Sequence, residues 1–369
     1  MAKRKKYRKV RGGCLTCKER KVRCGLEKPE CENCTRLARR CGYADAPVRP
    51  SAMQEIELMH HYTAYTCLSM SENPVLRSLW RDIVPKHALR HPFLLQGIFA
   101  CAALHKVHGD RDMEPEDLAR LIHAADFYQQ DSLKTYIDLL SNVTEENCHA
   151  LFAFSQIIAG LSFARLSSNI HEHTSGPIDL IDKFFSLSEL MKGTLNVAIE
   201  GIEWLREGDL RSMLGDAPSI PSQQDLAGSS TPCGIAMKTL SNHIAGQIQD
   251  DEASRARVEV LQSTLRLVYS LFLEPPESKQ RLNNIGGFLV FADLDFIRLL
   301  KGWDHAALAI LAYYGAALYR LRHIWYYGDV GAKIVKAVRD IDMRAYSTYL
   351  VWPQQEVGIQ LRKLYMCSF

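Results

Sequence analysis

This sequence has little of what a membrane protein, an enzyme or a β-sheet domain needs. Its longest apolar runs, Phe93–Leu104 (interrupted by Gln96) and Ala306–Leu318, fall short of the roughly 20 residues that cross a bilayer, so no membrane span is expected. The basic start Met1-Ala2-Lys3-Arg4-Lys5-Lys6 is followed by no apolar stretch, which argues against a secretory leader. Cys367 stands one place too late for prenylation. There is no Gly-rich phosphate loop, no G-x-S-x-G and no H-E-x-x-H, and no acid–base or nucleophile constellation suggests catalysis. Alternating strand patterns and sustained heptads are both absent. Proline and glycine are modest, at 14 and 22 of 369 residues, and 47% of the chain is hydrophobic. That composition excludes collagen and global disorder.

Cysteine is sparse over most of the chain. Cys67, Cys101, Cys148, Cys233 and Cys367 stand singly, mostly among apolar neighbours. Such thiols read as reduced core residues of an intracellular protein. The other six of the 11 cysteines fall between Cys14 and Cys41. Charge is just as uneven. Residues 1–50 hold 16 Lys and Arg against 5 Asp and Glu, a net of +11, while residues 51–369 hold 29 against 37, a net of −8. A basic head on an acidic body points to a polyanionic partner for the head.

The six cysteines are spaced Cys14-x2-Cys17-x6-Cys24-x6-Cys31-x2-Cys34-x6-Cys41, one C-x2-C-x6-C unit written twice at an offset of 17. A structural zinc takes four ligands in a tetrahedron. One zinc leaves two thiols over, and two separate zincs need eight. Six suffice if two cysteines each bridge both ions. By the symmetry of the repeat the bridging pair is Cys14 and Cys31. One ion then takes Cys14, Cys17, Cys24 and Cys31, and the other takes Cys14, Cys31, Cys34 and Cys41. A module of this size has too small a core to fold alone, so two structural Zn²⁺ ions are expected to supply its folding energy. Pro29 falls in the loop between the two units, where a turn is needed.

The spacer after Cys17, Lys18-Glu19-Arg20-Lys21-Val22-Arg23, places four cations in six positions on a short helix tied to metal at both ends. Lys and Arg donate to the O6 and N7 edge of guanine in the major groove and otherwise neutralise phosphates. The partner expected for this surface is double-stranded DNA. The competing reading is a zinc-stabilised protein-interaction module with nonspecific DNA affinity.

The chain divides into a basic arm (1–13), the cysteine module (14–43), a linker with two prolines (44–51) and a long helical remainder (52–369). The pattern of the remainder predicts one amphipathic helix over 52–70, with Met53, Ile56, Met59, Tyr62 and Leu68 near one face. It predicts a helix opened by Asn73-Pro74, and a helix over 92–107 that is buried on every side. Further helices are expected at 116–140, from Thr144 onward, and at 178–192, 251–273, 305–326 (capped by Asp304) and 329–341. The stretch Gly215–Gly234, rich in Gly, Pro, Ser and Thr, reads as a loop. Glu200–Asp216 reads as a solvated amphipathic helix. His87 and His91, and His171-Glu172-His173, read as surface or core residues rather than ligands.

The six-cysteine spacing, the basic helix after the second cysteine and the proline two places before the fourth resemble the fungal zinc binuclear cluster transcription factors. That resemblance implies nuclear action on DNA sites built on CGG-type triplets. It implies base contacts from Arg20 and Lys21 and phosphate contacts from Lys18 and Arg23. The basic arm, including Lys9 and Arg11, serves as a nuclear localisation signal or a phosphate-contacting arm. A homodimer and a monomer both remain open. In the remainder, Glu57–Thr63, Leu79–Pro85, His91–Ile98, Ala309–Tyr314 and Leu350–Pro353 resemble the sterol uptake control branch of the family. This implies an all-α regulatory domain that takes a sterol or other lipid-like ligand. Other relatives control secondary-metabolite gene clusters instead.

Overall fold

The computed structural model describes residues 13–27, 30–39, 41, 49–110, 112–167, 176–214, 219–273, 275, 281–341 and 343–359. Pro29, Lys9, Arg11 and His171-Glu172-His173 lie outside the described residues, as does most of the linker. Among the described residues no strand occurs. The chain separates into two compact units, Met1–Ser51 and Ala52–Phe369.

The smaller unit contains two short helices, α1 (Leu15–Glu19) and α2 (Glu32–Arg36). Its buried cluster consists of the six cysteines. Hydrophobic burial on that scale cannot offset the entropy of ordering the chain.

The larger unit opens with α3 (Ala52–His61), which passes through a π-helical turn, Tyr62–Thr66, into a last α turn, Cys67–Ser69. The expected face is corrected here. Of that face Tyr62 is buried, but Met53 and Ile56 are 73% and 63% exposed, and Leu58, Thr66 and Cys67 complete the core side. The π turn inserts an extra residue after Met53 and Ile56, so it shifts only the residues beyond it, such as the exposed Leu68. Next, α4 (Pro74–Ser78) starts as anticipated, with the Asn73 side chain accepting from the Val75 N–H at 2.9 Å. A second π turn, Leu79–Ile83, leads into α5 (Val84–Ala88).

The first half of the core is built on α6 (Pro92–Gly109), which is buried along most of its length. Against it packs α7 (Pro115–Leu139), whose buried Leu121, Ala124, Ala125, Tyr128, Ser132 and Tyr136 recur at helical spacing. The helix expected from Thr144 is regular from Cys148 onward, as α8 (Cys148–Ser167), after a turn over 145–147 that the Cys148 N–H closes by donating to the Thr144 carbonyl at 2.9 Å. By length and composition α8 is apolar enough to cross a membrane, although it contains no unbroken apolar run of that length. In this fold 72% of its most apolar window is buried.

Then come α9 (Pro177–Glu200), longer than expected, and α10 (Ile202–Glu207), a short helix that buries Leu205. Within the expected loop of 215–234 lies a helix, α11 (Gln223–Gly228). It is held by a capping box in which Ser222 and Asp225 satisfy each other's backbone N–H. Two paired caps outweigh an unfavourable composition. Before that stretch ends, α12 (Pro232–Ala245) has begun under a Thr231 cap.

The second half of the core comprises α13 (Glu252–Leu273), α14 (Arg281–Phe291), α15 (Leu294–Lys301), α16 (His305–Tyr319), α17 (Val330–Asp340) and α18 (Val351–Glu356). Asp304 caps α16 as expected, its carboxylate accepting from the Ala307 N–H at 3.0 Å. Every residue of α16 from Ala306 to Leu318 is buried. The helix stops short of 326 and turns follow, which lets Ile324, Trp325, Tyr326 and Tyr327 all be buried in succession. The tyrosine hydroxyls that this burial strands find backbone carbonyls: Tyr313 donates to Tyr349 at 3.0 Å and Tyr326 to Met70 at 3.1 Å. The α16–α17 contact depends on two glycines. A Cβ on Gly331 would stand 2.4 Å from the Gly315 carbonyl oxygen, so the two backbones touch.

Candidate metal centre and nucleic-acid interface

The sequence repeat is carried into the backbone of the small unit. In each half a helix of one to two turns follows the first cysteine and ends in a left-handed residue, Lys21 at φ 54° and Ala38 at φ 45°. Around Lys21 the Val22 N–H donates to the Cys17 carbonyl and the Lys21 N–H to the Lys18 carbonyl, both at 3.0 Å. Around Ala38 the Arg39 N–H donates to the Cys34 carbonyl and the Ala38 N–H to the Thr35 carbonyl, also at 3.0 Å. These are paired Schellman caps, built without the glycine that usually fills them. The same symmetry reaches the sulfurs. The Cys14 N–H donates to Cys24 Sγ and the Cys31 N–H to Cys41 Sγ, each at 3.3 Å.

The six sulfurs converge. Those of Cys14, Cys17, Cys24 and Cys31 lie within 4.8 Å of one another, and so do those of Cys14, Cys31, Cys34 and Cys41. Cys14 and Cys31 belong to both groups, with their sulfurs 3.7 Å apart, and Cys17 Sγ is 3.6 Å from Cys31 Sγ. A tetrahedron with Zn–S arms of 2.3 Å has an edge of about 3.8 Å. No disulfide joins them. Burial pushes the Cys17 thiol up and the Cys34 thiol up to about 12, so the thiolate form needs a cation beside it. Six buried sulfurs at tetrahedral spacing fit two zinc ions. Such ions would screen the thiolates from one another and cross-link the two halves.

On the outer side, Lys18, Lys21 and Arg23 are exposed. Arg20 is half-buried, and its Nη1 has no hydrogen-bond partner. The structure therefore brings Lys18, Arg20, Lys21 and Arg23 together on and just after α1. Two further contacts were not legible in the spacing. Asn33 donates its Nδ2–H to the Arg23 carbonyl, and the Glu27 carboxylate accepts from the Glu32 N–H at 3.0 Å, which holds the Glu27 carboxyl below its ordinary value. Both tie the connection between the halves, and no sequence signal marks either one.

A family description, the fungal Zn(2)-Cys(6) binuclear cluster domain, matches residues 12–50, and a second, the fungal specific transcription factor domain, matches residues 57–189. A Zn(2)-C6 fungal-type transcription factor of Gibberella zeae is 24% identical over 91% of this chain and 82% of its own length. The chain thus carries the two domains found in fungal Zn(2)-C6 transcription factors. This is a family of DNA-binding transcription regulators, not of enzymes, and its action is nuclear. The factor is also similar to the Zn(2)-C6 fungal-type transcription factor afumD of Aspergillus fumigatus, at 29% identity over 44% of this chain and 48% of the relative. It is 50% identical to sterol uptake control protein 2 of Candida albicans, but over only 46 residues, 12% of this chain and 6% of that one.

Proposed function

We propose that the factor reads CGG-type triplets in double-stranded DNA through the C-terminal end of α1. Two zinc ions make that end rigid. One ion takes Cys14, Cys17, Cys24 and Cys31 and the other takes Cys14, Cys31, Cys34 and Cys41, with Cys14 and Cys31 bridging. The observation that carries this reading is the pair of overlapping four-sulfur groups, which anchor the helix carrying Lys18, Arg20, Lys21 and Arg23. Arg20 and Lys21 meet base edges; Lys18 and Arg23 meet phosphates. The arm with Lys9 and Arg11 adds phosphate contacts and directs nuclear import.

Among target genes we favour a secondary-metabolite cluster over sterol metabolism, since the likeness to the sterol uptake control protein spans so few residues. The buried helices α8 and α16 are packed by their own side chains, which supports a regulatory body without an obligate lipid.

The test is selection of preferred duplexes from a random pool by the full chain, with and without chelator. A CGG-containing motif should be enriched only with metal. Lys21→Ala should lower affinity mainly for that motif, by about 1–3 kcal/mol. Lys18→Ala should instead lower affinity for all sequences and reduce the salt slope by about 1. Enrichment of no motif, or an even loss across sequences for Lys21→Ala, supports the protein-interaction reading instead.

A further inference from the structure

The loop that carries the chain away from α1 gets little help from apolar packing. Arg23, Gly25 and Leu26 are exposed, Leu26 at 43%. Leu26 also takes a left-handed backbone, at φ 76°, a region that disfavours L-residues. Arg23, Cys24, Gly25 and Leu26, together with Asn33, line a hollow of about 270 Å³. A strained backbone with little packing keeps one conformation only where other contacts impose it. Here those contacts are polar and come from the other half of the module. The Glu27 carboxylate, accepting from the Glu32 N–H at 3.0 Å, holds the far end of the loop. Asn33 holds the Arg23 end.

Asn33 lies in α2 between Cys31 and Cys34, so the paired cysteines on either side fix its backbone. Its Nδ2–H donates to the Arg23 carbonyl, and its Oδ1 accepts from Arg36 Nη2–H at 3.4 Å. Both contacts demand the same orientation of the amide, since a carbonyl only accepts and a guanidinium only donates. The first contact restrains the Arg23–Cys24 peptide just where the Arg23 side chain leaves the backbone. Among the described residues no carboxylate pairs with the Arg23 guanidinium, so its charge is left for an outside anion.

We propose that Asn33 is a positioning residue for DNA binding. By fixing the Arg23 carbonyl from the second half of the module, it aims the Arg23 guanidinium at its phosphate without touching DNA itself. This rests on the reading of Arg23 as a phosphate contact. A long cationic side chain on a restrained backbone loses less freedom when it meets its partner than one on a mobile loop. The second half of the module would thus act on affinity through a residue of the first.

A double-mutant cycle on the zinc-loaded full chain tests this, read by fluorescence anisotropy on duplexes with and without a CGG triplet. Arg23→Ala should weaken binding to both duplexes about two- to fivefold, the value of one exposed ion contact, and reduce the salt slope by about 1. Asn33→Leu, which keeps the shape of the side chain without its amide, should weaken binding to both and flatten the salt dependence in the same way. Asn33→Ala should agree with it. Added to Arg23→Ala, either change should cost no further affinity. Both should leave unchanged the chelator midpoint of the cobalt-substituted chain, followed by its thiolate absorption. Loss from Arg23→Ala with none from the Asn33 variants overturns the proposal and leaves the phosphate role of Arg23 standing. An Asn33 loss that persists in the Arg23→Ala background means that the amide meets DNA itself, and overturns the proposal. Earlier metal release from both Asn33 variants means a role in the scaffold alone and overturns it too. An Arg23→Ala chain that binds like wild type removes the phosphate role of Arg23, and the proposal with it.

Discussion

Replacing Ala38 with glycine should make the cysteine module hold its metal more tightly. Ala38 sits at φ 45°, exposed, in the Schellman cap of α2. An L-residue in this left-handed region costs about 1–2 kcal/mol. Glycine removes that strain but adds backbone entropy to the unfolded chain, worth about 0.5–1 kcal/mol. The net gain is about 0.5–1 kcal/mol, with no packing lost because the methyl group is exposed. Metal binding and folding are one equilibrium in a module with so small a core, so the gain appears as metal affinity. At 1.4 kcal/mol per tenfold, it corresponds to an apparent affinity about two- to fivefold tighter.

The assay is chelator competition on the cobalt-substituted full chain, followed by thiolate charge-transfer absorption, which reports the cysteine centre alone. Ala38→Val should shift the midpoint the opposite way, since a β-branched side chain tolerates this backbone least. Lys21→Gly, at the matching position of the other half, should tighten metal binding like Ala38→Gly yet weaken binding to the selected DNA. An unchanged or earlier release from Ala38→Gly would refute the reasoning, because the left-handed residue would then not be a feature of the metal-bound fold.

Gly331→Ala should destabilise the larger unit by about 1–3 kcal/mol, the usual cost of overpacking, since its Cβ would meet the Gly315 carbonyl; a thermal midpoint equal to wild type counts against the backbone contact. Chelation should abolish DNA binding and re-added zinc should restore it, read by fluorescence anisotropy on the selected duplex; binding that survives metal removal would sink the zinc requirement. Burial beside His61 and His108 lowers the His105 imidazole to about 4. The unfolded chain therefore takes up this proton first, and the contribution of His105 to stability, complete above about pH 6.5, is lost as pH falls toward 4. Ring-proton NMR should find no titration of His105 above pH 5, and a midpoint near 6.5 would contradict its burial.

The sequence by itself determined the chemistry of the small unit. Six cysteines in a doubled spacing leave few ways to satisfy tetrahedral zinc, and a metal module is specified by its ligands rather than by a core. The sequence also determined that the remainder is helical, because periodic apolar positions and caps such as Asn73 and Asp304 act within a few residues. Tertiary structure alone decided what depends on distant segments. It put Leu58 in the core and left Met53 and Ile56, which the periodicity favoured, exposed, because which side of a helix is covered depends on the helices packed against it. It buried α8, which composition alone would also let cross a membrane, since only the surrounding helices supply its apolar surroundings. It set the His87 ring parallel to that of His149, 62 positions away in the chain, a contact that no local spacing could reveal. Ligand spacing and caps are short-range and can be read from neighbouring residues, whereas burial and convergence depend on which surfaces the packed helices leave to one another.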